Sequence, residues 1–260
     1  MSLAPLRKED LTAALRAVGI QAGDGLLVHS ALQMLGHPEG GLEMYLDVLL
    51  ELLGPAGTIA VPAFTFTFHK GEPYDPDTTP SKGMGSFSEF VRQHPEARRT
   101  PHPMQPLSIL GLHADDLSNR DTPSAFDDDS ALDRMLQLDF KLLLLGADIQ
   151  AASIVHHSEQ RARVPYRYWK DFTGNVKVRG EWQQRTYRMF VRDLQIDPAL
   201  RLSPIQKGME ARRQWHEQPL NYGVIACCKL RDFVSVAGAL LSKDPWALVA
   251  NKPKAVGIAT

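Results

Sequence analysis

KLLLLGADIQAASIVHHSE, residues 141 to 159, is the stretch on which the reading of this chain turns. Lys141 to Gly146 (KLLLLG) is its most hydrophobic segment and ends in glycine, which predicts a buried central strand leading into a loop. The segment SIVHHSEQRAR that follows is helix-like, so Ser153, His156 and Glu159, spaced three apart, fall within about 120° of arc and can face one cavity. A site at the carboxyl end of a strand lies where open α/β sheets form their ligand crevices.

Working outward, Gly25 to Val28 is a short apolar run ending near Ser30, Tyr45 to Leu53 has helical spacing, and Gly57 to Pro62 (GTIAVP) is β-branched with turn signals at both ends. Strand, helix and strand make a βαβ unit and an α/β fold. Lys8 to Val18 predicts a helix closed by Gly19. Ala63 to Gly85 has no periodicity, and so long an excursion is tolerated mainly when the loop has a job. Ser86 to His94 returns to helix, with Ser86 and Glu89 placed for a capping box. Leu107 to Leu112 is another strand candidate, and Asp127 to Leu136 an acid-rich helix start whose charges suit the helix dipole. Beyond Trp169 the alternation of Val176, Val178, Trp182, Tyr187 and Met189 predicts antiparallel strands added to the sheet, with a late helix over Lys229 to Leu241.

The 260 residues, 43% hydrophobic and 23% charged, can bury a sizeable core, and a single domain over 1–260 is expected. With 29 basic against 30 acidic residues there is no positive field for a nucleic-acid backbone. Cys227 and Cys228 are adjacent, which does not suit ordinary disulfide geometry, and a reducing cytoplasm is expected. The N-terminal stretch reads as an amphipathic helix, and neither secretion nor membrane insertion is indicated. The sequence leaves the oligomeric state open, a homodimer included.

Three segments carry possible chemistry. His156 has the ring to take a proton near neutrality, Glu159 can hold its tautomer, and Ser153 can orient it or assist a tetrahedral oxygen. The bland alternative is a polar residue in a satisfied environment. VHSALQMLG (Val28 to Gly36) ends a strand with backbone N–H groups that can hold a pyrophosphate, or is simply an ordinary serine cap. It lacks GxGxxG and GxxxxGK[ST], so neither a dinucleotide fold nor a P-loop is supported. Arg99, Thr100, His102 and Pro103 lie in a proline-stiffened loop that suits substrate or phosphate contact, or an ordinary connector.

In order, HSALQMLG (His29 to Gly36), GTIAVPAFTF (Gly57 to Phe66), RTPHP (Arg99 to Pro103), LLLLG (Leu142 to Gly146) and SIVHHSE (Ser153 to Glu159) resemble the motifs of the aminoglycoside 3-N-acetyltransferase family. GVIACCKLRDFV resembles its closing strand and helix. The resemblance implies a three-layer α/β/α fold with a central mixed sheet, an acetyl-CoA or other acyl-CoA co-substrate, no metal, and His156 as general base supported by Glu159, with Ser153 beside them. It places His29, Ser30, Ala31, Leu32, Met34, Thr65 and Phe66 in the coenzyme A site, and Arg99, His102, Arg163 and Tyr166 at the acceptor. The family's second serine of HSSL is Ala31 here, its RSxHP serine is Thr100, and its threonine before the histidine is Ser153. Arg161, Arg163, Arg167 and Lys170 follow the histidine, and a basic rim of this kind favours a nucleotide-linked amino sugar over a polycationic aminoglycoside. Two rivals stand beside this reading. A metal-dependent hydrolase would draw on His29, His102, His156 and His157, although HExxH and HxH spacings are missing. A non-catalytic carbohydrate-binding protein would use the aromatic loop Phe64 to Tyr74.

Overall fold

The computed structural model describes residues 4–252. The chain runs through β1 (Pro5–Leu6), α1 (Lys8–Ala17), β2 (Gly25–Ser30), β3 (His37–Pro38), α2 (Gly41–Leu53), β4 (Thr58–Pro62), α3 (Ser86–Arg92), β5 (Arg98–Arg99), β6 (Leu107–Gly111), α4 (Ala114–Ser118), α5 (Ala131–Gln137), β7 (Lys141–Leu145), α6 (Val155–Ala162), β8 (Arg167–Val178), β9 (Glu181–Arg192), α7 (Ser203–Ala211), β10 (His216–Leu220), β11 (Gly223–Lys229) and α8 (Leu230–Lys243). Seven strands form one sheet in the order β10-β11-β7-β2-β4-β6-β5. β7, β2 and β4 are parallel, and antiparallel strands flank them on both sides, so the sheet is mixed.

Side-chain alternation builds two cores from this sheet. Leu26, Val28, Ile59, Val61, Leu143 and Leu145 point to one face, where Leu15 of α1, Leu49 of α2 and Phe87 of α3 cover them. Leu27, Ala60, Leu142 and Leu144 point to the other, under α5, α6, α7 and α8. Burial on both faces explains why KLLLLG reads as an uninterrupted apolar run, each leucine contributing roughly 1.5–3 kcal/mol. The result is the expected α/β/α sandwich. Gly146 follows β7 with φ of 68°, and a Cβ there would come within 2.7 Å of the Ala31 carbonyl. Glycine thus lets the exits of β2 and β7 sit against each other.

Two local expectations change. The capping box does not form: Gly85 is the N-cap of α3, and Glu89 instead accepts from the Ser81 N–H and hydroxyl and from Arg92. The alternating stretch beyond Trp169 is not added to the main sheet. β8 and β9 pair with each other through twelve residue pairs, as a hairpin standing beside it, and Val176 of β8 makes one further bridge to Tyr74 of the 63–85 excursion. Each strand satisfies the other's backbone groups, so alternation alone does not tell a hairpin from a sheet extension. The excursion over 63–85 contains one 3-10 turn, Phe68–Lys70, and packs Phe68 and Tyr74 against Val176 and Tyr187 of the hairpin.

Candidate functional site

β2, β4 and β7 all finish at one end of the sheet, and β6, antiparallel to β4, begins there with Leu107 paired to Pro62. The HSAL turn, the 63–85 excursion, Thr100–Pro106 and the turn into α6 therefore gather at this end. Beside it lies a cleft of about 780 Å³ lined by His156, Arg167, Phe66, Phe126, Lys170, Phe172, Phe190 and Arg192, among others. Both strands of the hairpin contribute to that wall, Arg167, Tyr168, Lys170 and Phe172 from β8 and Met189 to Arg192 from β9.

His156 sits in the first turn of α6, part-exposed, and its Nδ1 is 2.6 Å from Oε2 of the fully buried Glu159. Burial pushes the Glu159 carboxyl up, but hydrogen bonding and charge from His156, with the Arg167 guanidinium, outweigh it and hold the group below its ordinary value. A carboxylate there accepts from Nδ1–H and leaves Nε2 as the basic nitrogen. Among the described residues Nε2 has no protein partner. The Phe126 ring stands edge-on to the imidazole, centroids 5.8 Å apart.

Ser153 lies just before α6 and bonds to His29 rather than to His156. Its N–H and Oγ are 3.4 and 3.3 Å from His29 Nε2. Burial, reinforced by the charge of His156, lowers the His29 pKa to about 4, so the ring is neutral at pH 7. Accepting from the Ser153 N–H fixes the proton on Nδ1.

The other named residues divide. Ser30 and Ala31 follow His29, and a short 3-10 helix, Leu32–Leu35, comes next with Met34 exposed. The Ala31 N–H is engaged by the Leu145 carbonyl. Phe66 lines the cleft with φ of 55°, a left-handed conformation rare for a bulky residue and often found at functional sites. Thr65 is buried with its hydroxyl donating to the Pro103 carbonyl. Arg99 donates to the carbonyls of Thr79 and Ala63 and lies over the Tyr74 ring, pinning the excursion. His102 is buried, accepting at Nδ1 from the Gln105 N–H and approaching the Arg188 carbonyl through Nε2. Tyr166 is fully buried beside Glu159. Arg163 ends α6 in a left-handed conformation and does not line the cleft.

The four-residue basic rim does not hold together. Arg161 pairs with Asp128 and Asp133, Arg163 is outside, and Arg167 contacts Glu159 at 2.9 Å. Lys170 remains on the cleft wall, packed on Phe172. The sequence reading missed the Arg167–Glu159 pair and the hairpin wall, because no local pattern announces a contact made across a loop. Among the described residues no three His, Cys, Asp or Glu side chains converge as metal ligands, and no helix is long and apolar enough to cross a membrane. Both cysteines are buried free thiols.

The family described as aminoglycoside 3-N-acetyltransferase matches residues 27–242. Aminoglycoside N(3)-acetyltransferase III of Salmonella sp is 31% identical over 180 residues, 62% of this chain and 63% of that protein. The chain thus aligns with just under two thirds of that relative's length. Aminoglycoside N(3)-acetyltransferase IV of Salmonella sp is 28% identical across 92% of this chain and 88% of its own. The structure titled "AAC-IIIb binary with CoASH" superposes with a TM-score of 0.82, covering 96% of this chain and 100% of that one at 21% identity, a likeness of fold. From the matched span and the shared architecture, this chain belongs to the aminoglycoside 3-N-acetyltransferase family.

Proposed function

We propose that the protein is an acyl-CoA-dependent N-acetyltransferase acting on an amino group of an amino sugar. The observation that carries this is the 2.6 Å contact between His156 Nδ1 and Glu159 at the wall of the cleft, in a chain of this family. The acceptor amine attacks the thioester carbonyl as His156 Nε2 takes the amine's proton, the C–N bond forms, the C–S bond breaks, and the imidazolium returns the proton to the departing sulfur to release the CoA thiol. Glu159 stabilises the imidazolium that appears in this step. The second rival reading, a binding module, has no use for such a charged pair.

Coenzyme A suits the donor set at the exit of β2. The Ser30 hydroxyl and the first N–H groups of Leu32–Leu35, which have no intrahelical acceptor, are available to phosphate oxygens. The likeness to a protein solved with CoASH supports the same co-substrate. An aminoglycoside is the acceptor to which the relatives' names point, and they support it better than they support a nucleotide-linked amino sugar. One observation favours the latter: the cleft lining includes Lys170 and Arg192 and no carboxylate, a poor match for a polycation. Acetyl-CoA supply makes the cytoplasm the expected place of work.

Thiol release from acetyl-CoA, followed with kanamycin-type aminoglycosides and with a nucleotide-linked amino sugar, tests both parts. Turnover of the aminoglycoside is the expected result. Turnover of the nucleotide-linked sugar alone reverses the acceptor assignment, and no turnover of either across acyl donors removes the amino-sugar reading.

A further inference from the structure

Arg167 is the first residue of β8, eleven positions after His156, and its guanidinium reaches both His156 and Glu159 of α6. Its Nη1 donates to the Phe190 carbonyl on β9 at 3.1 Å, which fixes the fork. Nε lies 2.9 Å from Glu159 Oε2, and Nη2 lies 3.1 Å from His156 Nδ1. The side chain is 10% exposed and the carboxylate fully buried.

Nδ1 of one imidazole cannot both donate to Glu159 and accept from Arg167. The contact to the carboxylate is shorter and charge-assisted, so Nδ1 carries the proton and donates to Oε2. The guanidinium then stands beside an N–H it cannot bond. It compensates the buried carboxylate and opposes the positive charge that protonated His156 would carry.

We propose that Arg167 is a positioning residue for the base, keeping Glu159 ionised as the acceptor for His156 Nδ1 while opposing the positive charge that the ring gains when Nε2 takes the acceptor's proton. This rests on His156 being the base. Around the pair, α6 contributes His157 as well as His156 and Glu159, β2 contributes neutral His29, the segment before β8 contributes Tyr166, and β8 contributes Arg167 and, further along the cleft wall, Lys170. Phe126 closes the remaining side with an uncharged ring edge. Arg167 is the cation that contacts both members of the pair. An acceptor-binding role is less suited to it, because the side chain is nearly buried, with Nη1 held by the Phe190 carbonyl and Nε in an ion pair with Glu159.

Removing the cation acts in one direction on both partners. A buried carboxylate without Arg167 is costlier to keep ionised, and an imidazolium without it is less opposed, so the pair binds its proton more tightly. The experiment measures kcat/KM for acetyl transfer against pH for wild type, Arg167→Met, Arg167→Lys and the double variant Arg167→Met/Glu159→Gln, with folding checked by thermal melting and His156→Gln run alongside. For Arg167→Met the acid limb is expected to move up by about one pH unit. In Arg167→Lys, which restores the charge, it returns to within about half a unit of wild type. Should Arg167→Met melt before assay, Arg167→Lys and the double variant carry the comparison, since the double variant buries no unpaired charge. A uniform loss of rate with the limb unmoved, or a higher acceptor KM alone, overturns the proposal while leaving the base assignment intact. Undiminished turnover by His156→Gln instead overturns the base assignment on which it stands.

Discussion

The turn into α6 and the stiff segment Arg99–Pro103 lie at the same end of the sheet, and each presents an imidazole, yet their polar atoms meet different fates. His156 has one nitrogen tied to Glu159 and the other open beside the cleft. His102 has both nitrogens occupied by main-chain groups, Gln105 N–H on one side and the Arg188 carbonyl on the other, and Tyr187 stacks edge-on against it at 5.2 Å. Arg99 repeats the pattern, its guanidinium taken up by backbone carbonyls of the excursion. Residue type alone made the two segments look equivalent. What separates them is whether the backbone around each side chain leaves it a free lone pair or proton, and the prolines at 101, 103 and 106 leave carbonyls and N–H groups that the segment's own side chains must satisfy.

The largest effect expected from this contrast is at His156. His156→Gln removes the only open basic nitrogen of the pair and should lower kcat by roughly 10²- to 10⁴-fold, the usual range for a general base, with little change in the affinity for CoASH measured by calorimetry. A variant within a few-fold of wild type would erase the distinction between the two segments.

How much of this was legible beforehand follows from how local each signal is. β7 and its glycine, the βαβ unit and α6 were readable because burial on both faces writes a continuous apolar run and because helical spacing is a property of the segment itself. The capping box at Ser86 failed because Glu89 found closer donors at Ser81, eight residues back, a competition no four-residue motif contains. The hairpin's position was illegible because its strands pair with each other. The basic rim misled for the same reason that Arg99 did: Arg161 and Arg167 carry the right charge, but their carboxylate partners, Asp128 and Glu159, become neighbours only in the fold.

A second break-point is stability against pH. Burial pushes the His102 pKa down from 6.5 to about 4. The unfolded chain therefore takes up this proton first as the solution acidifies. The contribution to stability is complete above about 6.5 and is lost progressively as pH falls from there toward 4, amounting to roughly 3 kcal/mol at the low end. His102→Gln should cost about 1–3 kcal/mol at pH 7 through its unmet main-chain partners, with kcat changed only a few-fold. Its further loss between pH 7 and pH 5 should be smaller than wild type's by roughly 2 kcal/mol. Denaturant unfolding of both proteins at the two pH values measures this. Equal losses would mean His102 titrates normally and is open to solvent, which would return the Arg99–Pro103 segment to the list of binding elements.

The smallest effect separates two uses of Ser153. His29 Nε2 accepts from the Ser153 N–H, so the hydroxyl 3.3 Å from the same lone pair has its proton turned toward His29 and away from any developing oxyanion. Ser153→Ala removes one weak neutral hydrogen bond while the backbone contact stays, and kcat should fall by no more than about tenfold, equivalent to roughly 1 kcal/mol. Loss of an oxyanion donor would instead lower kcat by about 10²- to 10³-fold. Ser153→Thr keeps the hydroxyl and should restore the wild-type rate. A fall of the larger size in Ser153→Ala, rescued by threonine, would place the serine's proton on the substrate and require His29 to hold the opposite tautomer, donating from Nε2 to the Ser153 oxygen instead of accepting from it.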